Sequence, residues 1–185
     1  MVHPDTYTST TSKGISLFAK RKFKKGEILW VADTTDSIMS FETFLKLSKK
    51  HQRQLAHFCY LDSHHKIISP CDNGKYVNHS CSPNCTYLME FDNISIAIKD
   101  IEVGEEITEN YCCYYKHLDD FECKCGAKNC VGALNSQNSF RPSLRLRLDE
   151  AAPFILQHQQ LLLNSKFESK TQFIASLNKR VYEYC

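Results

Sequence analysis

At 185 residues, 42% hydrophobic and 24% charged, the chain has the makeup of a soluble globular protein long enough to bury its own core. A net charge of +2 is too small to argue for nucleic-acid binding, and no apolar run approaches the roughly 18–20 residues of a membrane span. The opening Met1-Val2-His3-Pro4-Asp5 lacks the apolar region of a secretory signal, so the ten cysteines are expected as reduced, partly metal-bound thiols of an intracellular protein, nuclear or cytoplasmic.

Residues 1–12 are rich in Ser and Thr without periodicity and are expected to be a mobile leader. Ile15 to Lys20 alternates weakly and predicts a short strand. Lys24-Lys25-Gly26-Glu27 is a turn, followed by a second strand from Ile28 to Val31. The turn is echoed at Val103-Gly104-Glu105-Glu106-Ile107, which suggests two similar strand–turn–strand corners and not a repeat with a fixed period. Ser40 predicts the N-cap of a helix with Phe41, Phe44, Leu45 and Leu47 on its buried side. A second helical piece, about 49–58, turns Leu55 and Phe58 inward, and the charge run Lys46–Arg53 is its solvated face. Lys66-Ile67-Ile68 is a short strand and Asp72-Asn73-Gly74 a turn. Thr86–Phe91 and Ile94–Ile98 flank Asp92-Asn93 as a hairpin, with Ile94, Ile96 and Ile98 on one face. Beyond Ser136 a short strand over Leu144–Leu148 and two helices, about 150–163 and 170–184, are expected; Ser169 and Gln172 form a capping box for the last. The fold class is β-rich α+β.

Three stretches carry the chemistry. Tyr76 to Cys85 reads Tyr-Val-Asn-His-Ser-Cys-Ser-Pro-Asn-Cys, which concentrates two cysteines, a histidine and an asparagine around one turn. Gly104 to Tyr111 reads Gly-Glu-Glu-Ile-Thr-Glu-Asn-Tyr. Cys123-Lys124-Cys125, then Cys130, gives three thiolates at a spacing suited to Zn²⁺, which binds four ligands tetrahedrally with Zn–S about 2.3 Å. Gly126 and Gly132 permit the turns of such a knuckle. A distant residue must complete the shell, and Cys81 and Cys85 are the first candidates, with His79 behind them. Cys112, Cys113 and His117 are read as packed or surface residues.

Together these stretches resemble a SET-domain protein lysine methyltransferase with a post-SET zinc motif. The family's Asn-His-Ser-Cys-x-Pro-Asn signature stands at Asn78 to Asn84. Its Gly-Glu-Glu-Leu/Ile-x-x-Asp/Asn-Tyr signature stands at Gly104 to Tyr111, and its C-x-C-G-x-x-x-C-x-G-x-L-N pattern runs from Cys123 to Asn135. Lys13-Gly14-Ile15-Ser16 is similar to its Gly-x-Gly cofactor loop. The resemblance implies small β-sheets around a pseudoknot in which the Asn-His-Ser-Cys segment threads beside the segment ending in the catalytic tyrosine. It divides the chain into a leader (1–12), a SET domain (13–118, helical insert about 40–58), a post-SET zinc motif (119–135) and a mainly helical extension (136–185).

By position, the resemblance makes Tyr111 catalytic and puts S-adenosylmethionine against Lys13, Gly14, Ile15, Ser16, Lys75, Asn78, His79, Tyr111 and Leu134. Asn78 and His79 would hold the adenosine, and Leu134 would pack on adenine. Zn²⁺ falls to Cys81, Cys123, Cys125 and Cys130. The partner implied is a protein or peptide bearing the target lysine, histone tails being the familiar case; the oligomeric state stays open. Four positions depart from the pattern. Ser16 replaces a glycine, Lys75 an arginine, and Val31-Ala32-Asp33 lacks a frequent tyrosine. Glu109 stands where Phe or Tyr commonly sets the number of methyls, which leaves that number open. These departures keep a rival in view, a silent SET fold that recognises a protein partner without turnover; binding of S-adenosylmethionine separates the two.

Overall fold

A computed structural model describes residues 1–32, 35–61, 66–88, 94–113 and 120–135. The strand and helices expected beyond Ser136, the tip of the 86–98 hairpin and His117 lie outside the described residues.

The chain opens with a hairpin of β1 (Thr6–Thr11) and β2 (Gly14–Ala19), antiparallel from Thr6↔Ala19 to Thr11↔Gly14. This corrects the expectation of a leader over 1–12. Tyr7 stacks on Phe18 at 5.5 Å between ring centroids, the His3 amide donates to the Leu29 carbonyl (2.8 Å), and the Val31 amide donates to Met1 (2.9 Å). A Ser/Thr-rich strand with one face in solvent has no apolar alternation to reveal it, because its pairing and not its own side chains holds it.

β3 (Ile28–Val31) follows, then β4 (Ser37–Ser40), α1 (Phe41–Lys46) and α2 (Lys49–Ala56). Ser40 and Ser48 cap the two helices, their hydroxyls accepting from the Thr43 and His51 amides (3.0 and 3.3 Å). β5 (Tyr60–Leu61) and β4 flank β6 (Lys66–Ser69), and the helices pack on this sheet through Phe44, Ala56, Leu61 and Ile67. Leu45 and Phe58, expected inward, are exposed: Phe44 fills the buried stripe of the short α1, and α2 ends before Phe58 is reached.

A 3-10 turn, Asn73–Tyr76, leads into β7 (Asn78–His79). β8 (Cys85–Leu88) and β9 (Ile94–Ala97) form the expected hairpin, and β9 lies between β3 and β8. As the central strand it is buried on both faces, so Ser95 and Ala97 are as covered as Ile94 and Ile96, against the single buried face expected. Two glycine corners close the domain. Gly26 (φ 93°) donates to the Ala97 carbonyl and Gly104 (φ 76°) to Ala19, each at 2.8 Å, with left-handed backbone that glycine adopts without a Cβ penalty. Between them Leu17, Ala19, Phe23, Leu29, Cys85, Ala97, Ile101 and Ile107 make the main core.

β10 (Thr108–Glu109) pairs parallel with β7, Thr108 beside Asn78 and Glu109 beside His79. The Ser80 amide donates to the Glu109 carbonyl (2.8 Å), and Asn84 and Thr108 exchange bonds in both directions (3.2 and 2.8 Å). The two motif segments therefore lie side by side. β11 (Phe121–Glu122) and β12 (Ala133–Leu134) form a last small antiparallel pair. No helix among the described residues is long and apolar enough to cross a membrane.

Candidate active site

A cavity of about 630 Å³ opens between the β1–β2 turn, the β7–β10 pair and the β3–β9–β8 sheet. That size suits a small ligand. Its lining includes a polar group, Ser12, Lys13, Gly14, Ile15, Lys75, Asn78 and His79, and a second group, Trp30, Tyr60, Tyr87, Ser95 and Glu109. Tyr111 and Phe121–Cys125 also line it. Of the nine residues expected at a cofactor, seven share this cavity, while Ser16 and Leu134 lie outside its lining. Ser16 is fully buried and accepts from the Asn78 side-chain amide at 2.7 Å; Leu134 packs into the cysteine cluster.

Asn78 is a strut of the site. Its side-chain amide also donates to the Ile15 carbonyl (3.3 Å) and to Glu106 Oε1 (3.2 Å), tying the hairpin turn to β7. Burial resists ionisation of Glu106, but bonds from Lys13, Ser16 and Asn78 hold its carboxyl below its ordinary range. The sequence reading missed Glu106; the signal was a second acid in the Gly-Glu-Glu-Ile motif, with Lys13 as its distant ion-pair partner. Gly14 (φ 99°) leaves open space where a Cβ would project, so the turn presents bare backbone to the cavity. Gly74 does the reverse: a Cβ there would meet the Trp30 indole at 2.4 Å. This glycine lets the 3-10 turn close against the Trp30 indole.

Tyr111 is half-buried, and its hydroxyl donates to the Val77 carbonyl at 2.5 Å. With its proton so placed, the oxygen meets other groups as an acceptor. Burial, then the charges of Glu109, Cys85 and Glu106, push the phenol well above its ordinary pKa, so it stays protonated. The Tyr111 amide donates to His79 Nδ1 (3.1 Å). The proton of a neutral His79 ring is then on Nε2, which faces Cys81 Sγ at 3.2 Å and donates to it.

The cysteines converge beside this bond. Ligand atoms of His79, Cys81, Cys123 and Cys125 all lie within 4.8 Å of one another. Cys81 Sγ and Cys123 Sγ are 3.8 Å apart. A tetrahedral site with Zn–S about 2.3 Å has edges of about 3.8 Å, so this pair fits zinc. Main-chain amides aim at the sulfurs: Cys81 at Cys125 Sγ (3.4 Å), Val131 at Cys81 Sγ (3.4 Å) and Gly132 at Cys130 Sγ (3.5 Å). Burial opposes ionisation of Cys125, yet bonds from the Cys81 and Ala127 amides and from neighbouring thiols bring it down to about 6. Burial pushes the Cys81 and Cys123 thiols up. Cys130 stands outside the tight group, its thiol directed at the Cys123 carbonyl at 3.5 Å. Cys85 is elsewhere, buried in the main core with its thiol on the Thr108 carbonyl at 3.3 Å.

The SET domain family profile matches residues 14–112, which takes in Gly14 and β2, both motif segments and Tyr111. The chain belongs to the SET-domain family. Among relatives of this SET domain, the mouse histone-lysine N-methyltransferase NSD3 is 32% identical over 145 residues, 72% of this chain and 10% of that protein. The H3 lysine-36 specific histone-lysine N-methyltransferase of Mycosarcoma maydis is 30% identical over 138 residues, 69% of this chain and 14% of that protein. The histone-lysine N-methyltransferase set9 of Schizosaccharomyces pombe is 29% identical over 146 residues, 74% of this chain and 31% of that protein. The chain spans between 10% and 31% of the length of these three relatives.

Proposed function

We propose that the chain is a protein-lysine N-methyltransferase that draws its methyl group from S-adenosylmethionine, acts on histones first among proteins, and carries one structural Zn²⁺. A nuclear location goes with that substrate. One observation carries the reading: Gly14 and Asn78, the aromatic Trp30, Tyr60 and Tyr87, and Tyr111 all line a single cavity.

The polar group of the lining suits the cofactor. Bare backbone at Gly14 admits close approach, Lys75 offers a cation to an amino-acid carboxylate, and Asn78 fixes the turn against β7. S-adenosylmethionine, when bound, supplies an electrophilic methyl on a sulfonium. The chain's own part is placement. Trp30, Tyr60 and Tyr87 exclude water from an entering lysine side chain and favour its neutral amine, since burial disfavours the ammonium. The Tyr111 oxygen, its proton engaged by Val77, accepts from the amine N–H and sets the direction of the lone pair. Fixing that line of approach is where most of the acceleration arises.

Cys81, Cys123, Cys125 and Cys130 would hold the zinc. His79 is the nearer fourth donor, but its Nε2 proton makes it a hydrogen-bond donor to Cys81 and not a ligand. Cys130, whose thiol is directed at the Cys123 carbonyl, would have to turn toward the other three sulfurs. The zinc would act structurally, clamping the 120–135 segment onto the central motif.

The test is transfer of labelled methyl to core histones and to whole-cell extract, with mass spectrometry of the modified lysine. Methyl-lysine on a defined protein supports the proposal. Cofactor binding without transfer to any protein would replace it with the binding-module reading.

A further inference from the structure

Among the aromatic residues of the cavity lining stands a carboxyl group to which methyl transfer as described gives no role. Glu109 is 6% exposed and lines the cavity with Trp30, Tyr60, Tyr87 and Tyr111. Its Oε1 accepts from the Ser95 hydroxyl (2.5 Å) and from the Cys85 thiol (3.6 Å). A buried acid costs free energy that a packed side chain of the same volume would not, and its place in the cavity lining sets a proton acceptor where an entering ammonium must lose its proton.

We propose that Glu109 is the proton acceptor for the incoming lysine, its carboxylate removing the proton that keeps the substrate nitrogen from attacking. The inference rests on the methyltransferase reading above and adds a residue to it. A lysine ammonium has a pKa of about 10.4, so only about one in a thousand is neutral near pH 7.4. Transfer breaks one N–H bond and forms one O–H bond on Glu109. The freed lone pair then forms the N–C bond to the methyl carbon as the C–S bond breaks, and that electron pair stays on sulfur. The product is a methylated ammonium, and Glu109 resets by releasing its proton to solvent. In a low-dielectric chamber the neutral acid–amine pair replaces a buried ion pair, which favours the transfer.

The neighbouring groups leave this role to Glu109. Burial raises its carboxyl to about 7, against the bonds from Ser95 and Cys85 that favour the ionised form. From β8, the Cys85 thiol is pushed well up by burial and by the charge of Glu109, and so stays neutral; Tyr87 of the same strand is a phenol. From beyond β10, Tyr111 is held protonated. From β7, His79 already accepts the Tyr111 amide at Nδ1 and faces Cys81 with Nε2. Tyr60 of β5 is also a phenol.

The experiment is the pH dependence of labelled-methyl transfer to recombinant core histones, pH 6 to 10, for wild type, Glu109→Gln and Ser95→Ala, with cofactor binding and melting measured on each. Wild type should rise with a limb near pH 7 and then level. Glu109→Gln should lose on the order of 100-fold at pH 7, and its rate should climb about tenfold per pH unit as free amine accumulates. Ser95→Ala removes a bond that favours the carboxylate, so its limb should move to higher pH, which serves if the Gln variant does not fold. Glu109→Gln equal to wild type at pH 7, or reduced by one factor at every pH, would overturn the inference alone. So would an unmoved limb in Ser95→Ala. Cofactor-bound wild type without transfer at any pH would remove the methyltransferase reading and this role with it.

Discussion

The core around Phe23 and the tail around Cys123 border the same central segment and are built from different materials. In the core, Leu17, Ala19, Phe23, Ala97, Ile101 and Ile107 are at most 1% exposed. Main-chain bonds cross it between Phe23 and Ile101 in both directions (2.9 and 2.8 Å), and from Ile107 to Leu17 (2.8 Å). The tail, over its described residues 120–135, has β11 and β12, two residues each, over a cluster of Cys81, Cys112, Cys123 and Leu134. The first is held by apolar burial and strand pairing. The second has little apolar area of its own and gathers thiols instead, so its order should depend on what the thiols bind. The candidate active site lies between them and inherits from both.

Metal removal should break this comparison most widely. Structural zinc contributes apparent free energies on the order of 10 kcal/mol, and protein prepared without chelator should hold one zinc per chain. Chelation should speed amide exchange across 120–135 while β3, β8 and β9 stay protected. Cys81→Ser should lose the metal, and Cys85→Ser, in the core, should keep it. Simultaneous loss of protection in both regions would mean that they are one cooperative unit.

Phe23→Ala attacks the other side. Truncating a fully buried Phe costs about 3–5 kcal/mol, and the loss should appear in global melting by the same amount with metal present or chelated. A loss that vanished on chelation would mean the two regions share their stability.

A smaller effect separates them by pH. Burial first, then the Arg21 charge, lowers His3 to about 4 against the pull of Asp5. His3 packs edge-on against Phe23 at 5.0 Å, so it belongs to the core. Folded His3 is neutral where the unfolded chain, with a pKa of about 6.5, takes up a proton. The unfolded state therefore binds more protons between about 6.5 and 4. Stability is fully present above 6.5 and falls, on the order of 2–3 kcal/mol, as pH drops to about 4. His3→Gln should flatten that part of the pH–stability profile, read by denaturant melts at fixed metal load.

The motifs of the site were legible because each is contiguous: Asn78 to Asn84, Gly104 to Tyr111 and Cys123 to Asn135 carry their residues in one run. The Ser40 cap and β3 were legible for the same reason, as local signals. What pairing decides was not legible. β1 has no apolar pattern of its own, and β9 is covered on both faces only because β3 and β8 flank it. The roles of Glu106, beside Lys13 and Asn78, and of Glu109, beside Ser95 and Cys85, arise from contacts across many residues, which no spacing announces. The His79 bridge from the Tyr111 amide to Cys81 is of the same kind, and it links the candidate active site to the thiol cluster.

Tyr111→Phe removes the one oxygen proposed to orient the amine in the cavity where core and tail meet. The ring remains, and the Val77 carbonyl loses one bond, so folding should change by only about 1 kcal/mol. The measurement is the rate of labelled-methyl transfer on the best histone substrate, set beside S-adenosylmethionine affinity and melting of both proteins. If the Tyr111 oxygen orients the amine, the rate should fall by on the order of 100-fold or more, with cofactor affinity and melting nearly unchanged. Equal rates in the two proteins would contradict it and make Tyr111 a packing residue.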